Sequence, residues 1–394
     1  MKFKKKKFQA AMSFFVFFIF FFCFQNFSSA FDNNKKENNT EEIYKNQLEN
    51  SGANKLKESL PEETAETLEK IGVDRVDWRQ LMALTPDRIF FQIFKMIKKI
   101  APAPIKSIFY ILSIVLICSL LDNLKTPLEK HSFRSILSAV SCLCISVAIV
   151  MPMVGFIEKA SIVIKSSSGF MLSYIPIMGA ILLSEGKGVS ASSYQVLMMG
   201  ITQVISQIAS NVLVPMLNSL LAISLVSSIS RRISVEGVCR FFYKIIKWVL
   251  SLSMTTFASL LTLQSIVGAS VDNIGSKAAK FIISSFVPVV GGALSDAFTT
   301  VRSCVKLLKS SVGAFGIIAG EFIFLPIIIE AMLWLFSIYL CSAISDIFNL
   351  GKISNLLANS ARVISMVLSV VMSCVILLII SSVIVLTISD NIST

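Results

Sequence analysis

Charge is what this chain of 394 residues has least of. Asp, Glu, Lys and Arg make up 15% of it, where ordinary soluble domains carry roughly 25%. From Ser107 onward, long uncharged runs are cut by short charged islands, and the longest run, Gly188 to Ser230, holds no Asp, Glu, Lys, Arg or His. A water-soluble domain built this way would have too few groups to face water. A bilayer demands the pattern, because charge in hydrocarbon is costly and backbone groups must be satisfied within helices.

Histidine is almost missing. His131 is the single one, in a charged stretch that reads as a solvated loop, so histidine-based catalysis inside the membrane is not expected. There is no G-x-x-x-x-G-K-[ST], H-E-x-x-H or G-x-S-x-G, which removes the phosphate-binding loop, zinc-protease and nucleophile-elbow chemistries. The expectation is a non-enzymatic protein with no catalytic residue, no cofactor and no metal site, driven by an ion gradient or by a partner. The polar stretch 31–104 contains no cysteine, so no disulfide framework is expected there. Cys142 and Cys144 stand two apart on an expected helix, so they point to different faces and act as apolar filler rather than as a chelate. A concentrated basic face is missing too. The net charge of +12 comes from the first seven positions and from islands between apolar runs, which is positive-inside topology rather than nucleic-acid binding.

What is present begins with Lys2 and Lys4 to Lys7, an apolar stretch from Ala10 to Phe24, and the small residues Ser28-Ser29-Ala30. That is a secretory signal peptide over 1–30, cleaved after Ala30, with an uncleaved anchor helix as the alternative. The polar segment 31–104 would then lie outside the cytoplasm. Asp32 to Lys57 has little to bury and is expected to be mobile. Pro61-Glu-Glu-Thr opens a helix that Gly72 closes, and Thr85-Pro86-Asp87 opens a second. In the second, Ile89, Phe90, Ile93, Phe94, Met96, Ile97 and Ile100 form a broad apolar face, opposite Arg88, Gln92, Lys95 and Lys99. It reads either as a membrane-surface or partner-docking helix or as a plain lead-in to the first span.

The remainder, 105–394, is expected to be an all-α polytopic transmembrane bundle of about eight or nine spans. Candidate spans are Ile105–Leu121, Ser135–Ile157, Ser166–Ser184, two within Gly188–Ser230 broken near Asn211, Trp248–Val271, Phe281–Thr300, two within Ser310–Ser345, and Val363–Ser389. Counting crossings from outside puts Arg231, Arg240, Lys244 and Lys247, then Arg302, Lys306 and Lys309, then Lys352 and Arg362, in the cytoplasm.

Where the apolar pattern fails, chemistry becomes possible. Pro288, Gly291 and Gly292 interrupt one run, with Asp296 a turn later. They read as a discontinuous element lining a pathway, or as a kinked helix with Asp296 near an interface. Glu321 lies deep in an uncharged run and marks an ion or proton path by default. Glu330, nine residues on, falls on the opposite face of a continuous helix, and is expected in a turn between two helices. Gly316 to Gly320 is a G-x-x-x-G, with Gly313 one turn earlier, a spacing that permits close helix contact. The basic stretch Arg231 to Lys247 reads as topology control, or as a contact for anionic lipid or a cytoplasmic partner.

The stretch Phe286-Val-Pro-Val-Val-Gly-Gly292, then Ser295-Asp296, Val305-Lys-Leu-Leu-Lys309 and Ser311-Val-Gly313, resembles the stage III sporulation protein AE family of endospore-forming bacteria. Thr262-Leu-Gln264 and Lys277 to Lys280 fit as well, and so does the layout of signal, short polar region and many spans. The resemblance implies a component of a multi-protein assembly in the mother-cell membrane around the forespore, needed for late forespore gene expression. That assembly would join a forespore-membrane partner to form a channel or feeding apparatus, with a separate ATPase component. The chain would be its permease-like element or an assembly scaffold, and the family supplies no catalytic residues to carry over. An autonomous ion-coupled secondary transporter is the other reading.

Overall fold

The computed structural model describes residues 39–123, 131–229, 236–286 and 291–387, with side chains for 44–120, 140–226, 237–264 and 303–386. The expected signal at 1–30 lies outside them. All regular structure among the described residues is helical.

The N-terminal layer is α1 (Asn39–Ser51), a 3-10 turn (Ala53–Ser59), α2 (Glu62–Ile71), α3 (Trp78–Met82) and α4 (Pro86–Ile100). The expected Pro61 start and Gly72 stop of α2 are found, with Gly72 at φ 97, where a side chain would be strained. Asp77 caps α3 by accepting from the Arg79 backbone N–H. The expectation of mobility over Asp32 to Lys57 fails from Asn39 onward. The local sequence there is polar, but Tyr44, Ala53 and Leu56 are buried, and α1 packs on the long helix α10 defined below. The order comes from tertiary contact, which local composition does not record. Burial pushes the Tyr44 phenol above its ordinary value, and Ser311 stands beside it.

The bundle is α5 (Pro102–Asn123), α6 (His131–Ser184), α7 (Gly188–Ile208), a π turn (Ala209–Leu213), α8 (Val214–Ile229), α9 (Glu236–Phe286), α10 (Gly291–Ile347) and α11 (Gly351–Thr387). His131 therefore heads a helix rather than sitting in a loop. Six segments among the described residues are long and apolar enough to cross a membrane: Pro102–Leu120, Val140–Ser184, Gly188–Val226, Gly237–Gln264, Ser303–Ile347 and Gly351–Leu386. Runs read above as two spans each are single helical columns. Glu158, Lys159 and Lys165 interrupt the hydropathy of α6 but not its helix, because charged residues keep good helix propensity. The break expected near Asn211 is the π turn, which leaves the column unbroken.

Two long hairpins dominate. The first, α6 with α7 and α8, turns at Glu185-Gly186-Lys187, with Gly186 at φ 79. The second, α10 with α11, turns at residues 348–350 and makes the most extensive packing in the molecule. Cys142, early in α6, lies near Lys352 at the start of α11, and Tyr243, early in α9, lies near Tyr339 and Arg362. At the other end, Lys187 and Lys309 both reach Glu185. Ser311, beside Tyr44, is two residues from Lys309. Lys309 therefore shares the end of the bundle that carries the N-terminal layer. The expected count of crossings puts them on opposite sides of the membrane. The larger expected count splits helices that run on as single columns.

Candidate functional site

Of the residues singled out from sequence, Pro288 lies outside the described residues. Gly291 and Gly292 open α10, and Asp296 sits in its second turn, its side chain outside the described set. Glu321 and Glu330 both lie within α10, which runs on through Pro326. Glu330 is thus not in a turn. Nine residues of continuous helix place the two carboxylates on opposite faces, about 13 Å apart along the axis, and the structure does not bring them together.

Glu330 has a partner that sequence reading missed. Lys159 of α6 donates to both its carboxylate oxygens, at 2.9 and 3.1 Å. The carboxylate is largely buried, while the lysine is 60% exposed, so the pair is anchored in protein on one side and open on the other. The sequence signal is the charge of Lys159 between two apolar runs, Ser135–Ile157 and Ser166–Ser184.

The glycines of α10 do what their spacing suggested. A Cβ at Gly313 would strike Leu386, one at Gly316 the ring of Tyr174, and one at Gly320 would fall 2.6 Å from Leu378. The three bare positions form a seam where α6 and α11 approach the α10 backbone. Close approach of this kind is what small residues allow in membranes, where the hydrophobic effect does not drive helices together. Tyr174 stacks on Phe170 with ring centroids 5.9 Å apart, and its hydroxyl stands by Ser382, as that of Tyr194 stands by Ser381.

Beside this seam, a small cleft of about 50 Å³ opens between α6, α7, α9, α10 and α11. Five hydroxyl residues, Ser167, Ser168, Thr202, Ser206 and Ser381, share its walls with Met171, Met198, Phe257 and Phe324. Glu321, half-buried, precedes Phe324 by three residues and so lies on the same flank of α10. The cleft can offer hydroxyl donors and acceptors to a polar or hydrated species within an apolar surround. It offers no nucleophile paired with a base, and among the described residues no three His, Cys, Asp or Glu side chains gather to hold a metal.

At the α6–α7 turn a second charged group is buried. The Glu185 carboxylate lies 3.7 Å from both Lys187 and Lys309, and all three side chains are at most 5% exposed. Breaking such a group leaves charge stranded in protein, so it fixes which part of α10 meets the turn. From sequence, Lys309 belongs with the cytoplasmic group Arg302 and Lys306, and nothing local marks Glu185 or Lys187. Only the contact between distant segments reveals them. Cys142 is buried and Cys144 exposed, on different faces as expected.

The profile of the family described as Stage III sporulation protein AE matches residues 78–389, from α3 to the end of α11. The chain belongs to that family. The stage III sporulation protein AE of Bacillus subtilis (strain 168) is 24% identical to it over 204 residues, which is 52% of this chain and 51% of that protein. The match thus spans about half the length of the curated relative. No solved structure matches the chain. The stretch that carries the resemblance in the sequence, around Gly291 and Lys309, runs from the first turns of α10 to the buried Glu185 group, at the end of the bundle nearest the N-terminal layer.

Proposed function

We propose that this sporulation protein is a non-enzymatic, multi-pass component of a transport complex linking mother cell and forespore, and that it acts as the permease-like element. The observation that carries this reading is the small cleft beside the glycine seam, with five hydroxyl residues among its walls and Glu321 one turn away. A scaffold needs only packed faces. A small cleft with hydroxyl residues among its apolar walls at membrane depth suits binding of water or a small polar species. In this reading the chain lies in the mother-cell membrane around the forespore. Its partners are the other membrane and ATPase components and a forespore-membrane protein.

The proposed topology places the N-terminal layer outside the cytoplasm and counts six crossings. The Glu185 turn and Lys309 then lie outside with that layer, while Arg240, Lys244 and Lys352 fall inside, in keeping with the positive-inside rule.

The test is substitution in sporulating cells. Glu321→Gln should lower the yield of heat-resistant spores while the variant still co-purifies with the complex after crosslinking. Normal spore yield from both Glu321→Gln and Asp296→Asn would refute a pathway role. The chain reconstituted alone in vesicles should move no solute, and ion-coupled uptake by it alone would favour an autonomous transporter instead.

A further inference from the structure

The second amphipathic helix of the N-terminal layer is apolar on two sides, and the protein covers only one. On the inner side of α4, Ile89 and Met96 are buried, facing α2 and α10, and Gln92 is buried with them rather than on the polar face where its spacing puts it. On the outer side Phe90 is 49% exposed, Phe91 69% and Phe94 67%. Three adjacent open phenylalanines form a patch that a layer surrounded by water would not keep without an occupant.

The patch belongs to a longer face. Between α4 and α5 the backbone stays helical at Ala101 (φ −57, ψ −32). Its N–H donates to the Ile97 carbonyl at 2.8 Å, and its own carbonyl accepts from Ile105 at 3.1 Å. At 100° per residue, Phe91, Phe94, Ile105, Phe109, Leu116 and Leu120 fall within about 80° of one another around the axis. All of them are exposed. The last four belong to a segment apolar enough to span a membrane. From Pro102 to Leu120 the rise is about 27 Å, close to the roughly 30 Å of the hydrocarbon core. With that span in the core, α4 starts from its edge, on the headgroup side, where aromatic rings are favoured. Lys95 and Lys98 are exposed beside them, while Lys99 is turned to Glu63 at 2.7 Å.

We infer that the outer face of α4 is a lipid-binding surface: Phe90, Phe91 and Phe94 insert at the headgroup boundary of the membrane that α5 spans, and Lys95 and Lys98 bind anionic lipid headgroups. The N-terminal layer is thereby held against the membrane surface at a fixed height.

The test uses the full chain with photoreactive p-benzoylphenylalanine at position 91 or 94, reconstituted in vesicles of equal phosphatidylglycerol and phosphatidylethanolamine and irradiated. The same residue at Glu66, exposed on α2, serves as the aqueous control. Mass spectrometry should find lipid adducts from 91 and 94 and none from 66. Phosphatidylglycerol adducts should exceed phosphatidylethanolamine adducts by about fivefold or more, and the ratio should fall toward one with Lys95→Gln and Lys98→Gln combined. In sporulating cells the same probes should again give lipid adducts. Adducts to another protein there would show the face to be a partner-docking surface and overturn the inference. Absence of any adduct in vesicles would overturn it as well, and equal labelling of the two lipids would remove the anionic preference.

Discussion

Gly316 shows how much one missing methyl decides. Its Cβ position is already filled by the Tyr174 ring, a rigid side chain that cannot swing aside within a packed core. Gly316→Ala should lower stability in detergent by about 1–3 kcal/mol, the usual cost of overpacking. Gly155→Ala is the internal contrast. Nothing lies within 4 Å of a Cβ there, so the gain in helix propensity, about 0.5–1 kcal/mol, should dominate. Thermal unfolding of the two variants should therefore shift in opposite directions, and a parallel shift would mean the seam is not tight. The Lys159–Glu330 pair calls for a smaller expectation. Because Lys159 is 60% exposed, Glu330→Gln should change stability by about 1 kcal/mol or less. Lys159→Glu should cost more by setting two carboxylates side by side, and the exchanged pair Lys159→Glu with Glu330→Lys should recover most of that loss. A double-mutant cycle measures the recovery.

Among the elements, the π turn makes the sharpest prediction. A π turn holds one residue more than an α turn, so removing one residue from Ala209–Leu213 converts it to regular helix and keeps α7 and α8 in register. Deleting Asn211 should leave a folded, extractable protein. Deleting Gly200, within α7, should rotate everything after it by about 100° and abolish folding. Size-exclusion profiles of the two deletions give the answer. This element also marks the limit of what sequence patterns reveal. Helical class, membrane character, the α2 and α4 boundaries and the glycine seam were legible, because each follows from local spacing or a local breaker. Helix length was not. Glu158, Lys159 and the Glu185 turn look alike in hydropathy, yet two of these sites continue a helix and the third ends one. The difference is Gly186, at φ 79. Of the candidate site, Glu321 was legible as a lone carboxylate in an apolar run. The partner of Glu330 and the five hydroxyl residues of the cleft were not, since they come from helices far apart in the chain.

At the scale of the whole molecule, the N-terminal layer and the bundle share one continuous core. Leu56, Leu68 and Ile71 belong to the same buried cluster as Val312 and Ile338. The layer is thus a structural part of the bundle rather than an appended tail. Removing residues 39–100 should uncover the flank of α10 around Ser311. Limited trypsin digestion should then cut after Lys306 or Lys309, although Lys309 is only 2% exposed in the intact protein. If those sites stay resistant in the truncated chain, the layer is dispensable for the fold.

The length of α10 carries a last consequence. Its 57 residues extend about 85 Å, against an apolar slab of about 30 Å. Even steeply tilted, such a rod cannot be clad by lipid from end to end. The protein must supply the rest of its own cladding, and α1 to α4 form one length of that sleeve. Where the lipid ends and the sleeve begins, the same helix passes from one solvent to another without a break in its hydrogen bonds. A displacement along its axis at the outer end would therefore be felt at the level of Glu321.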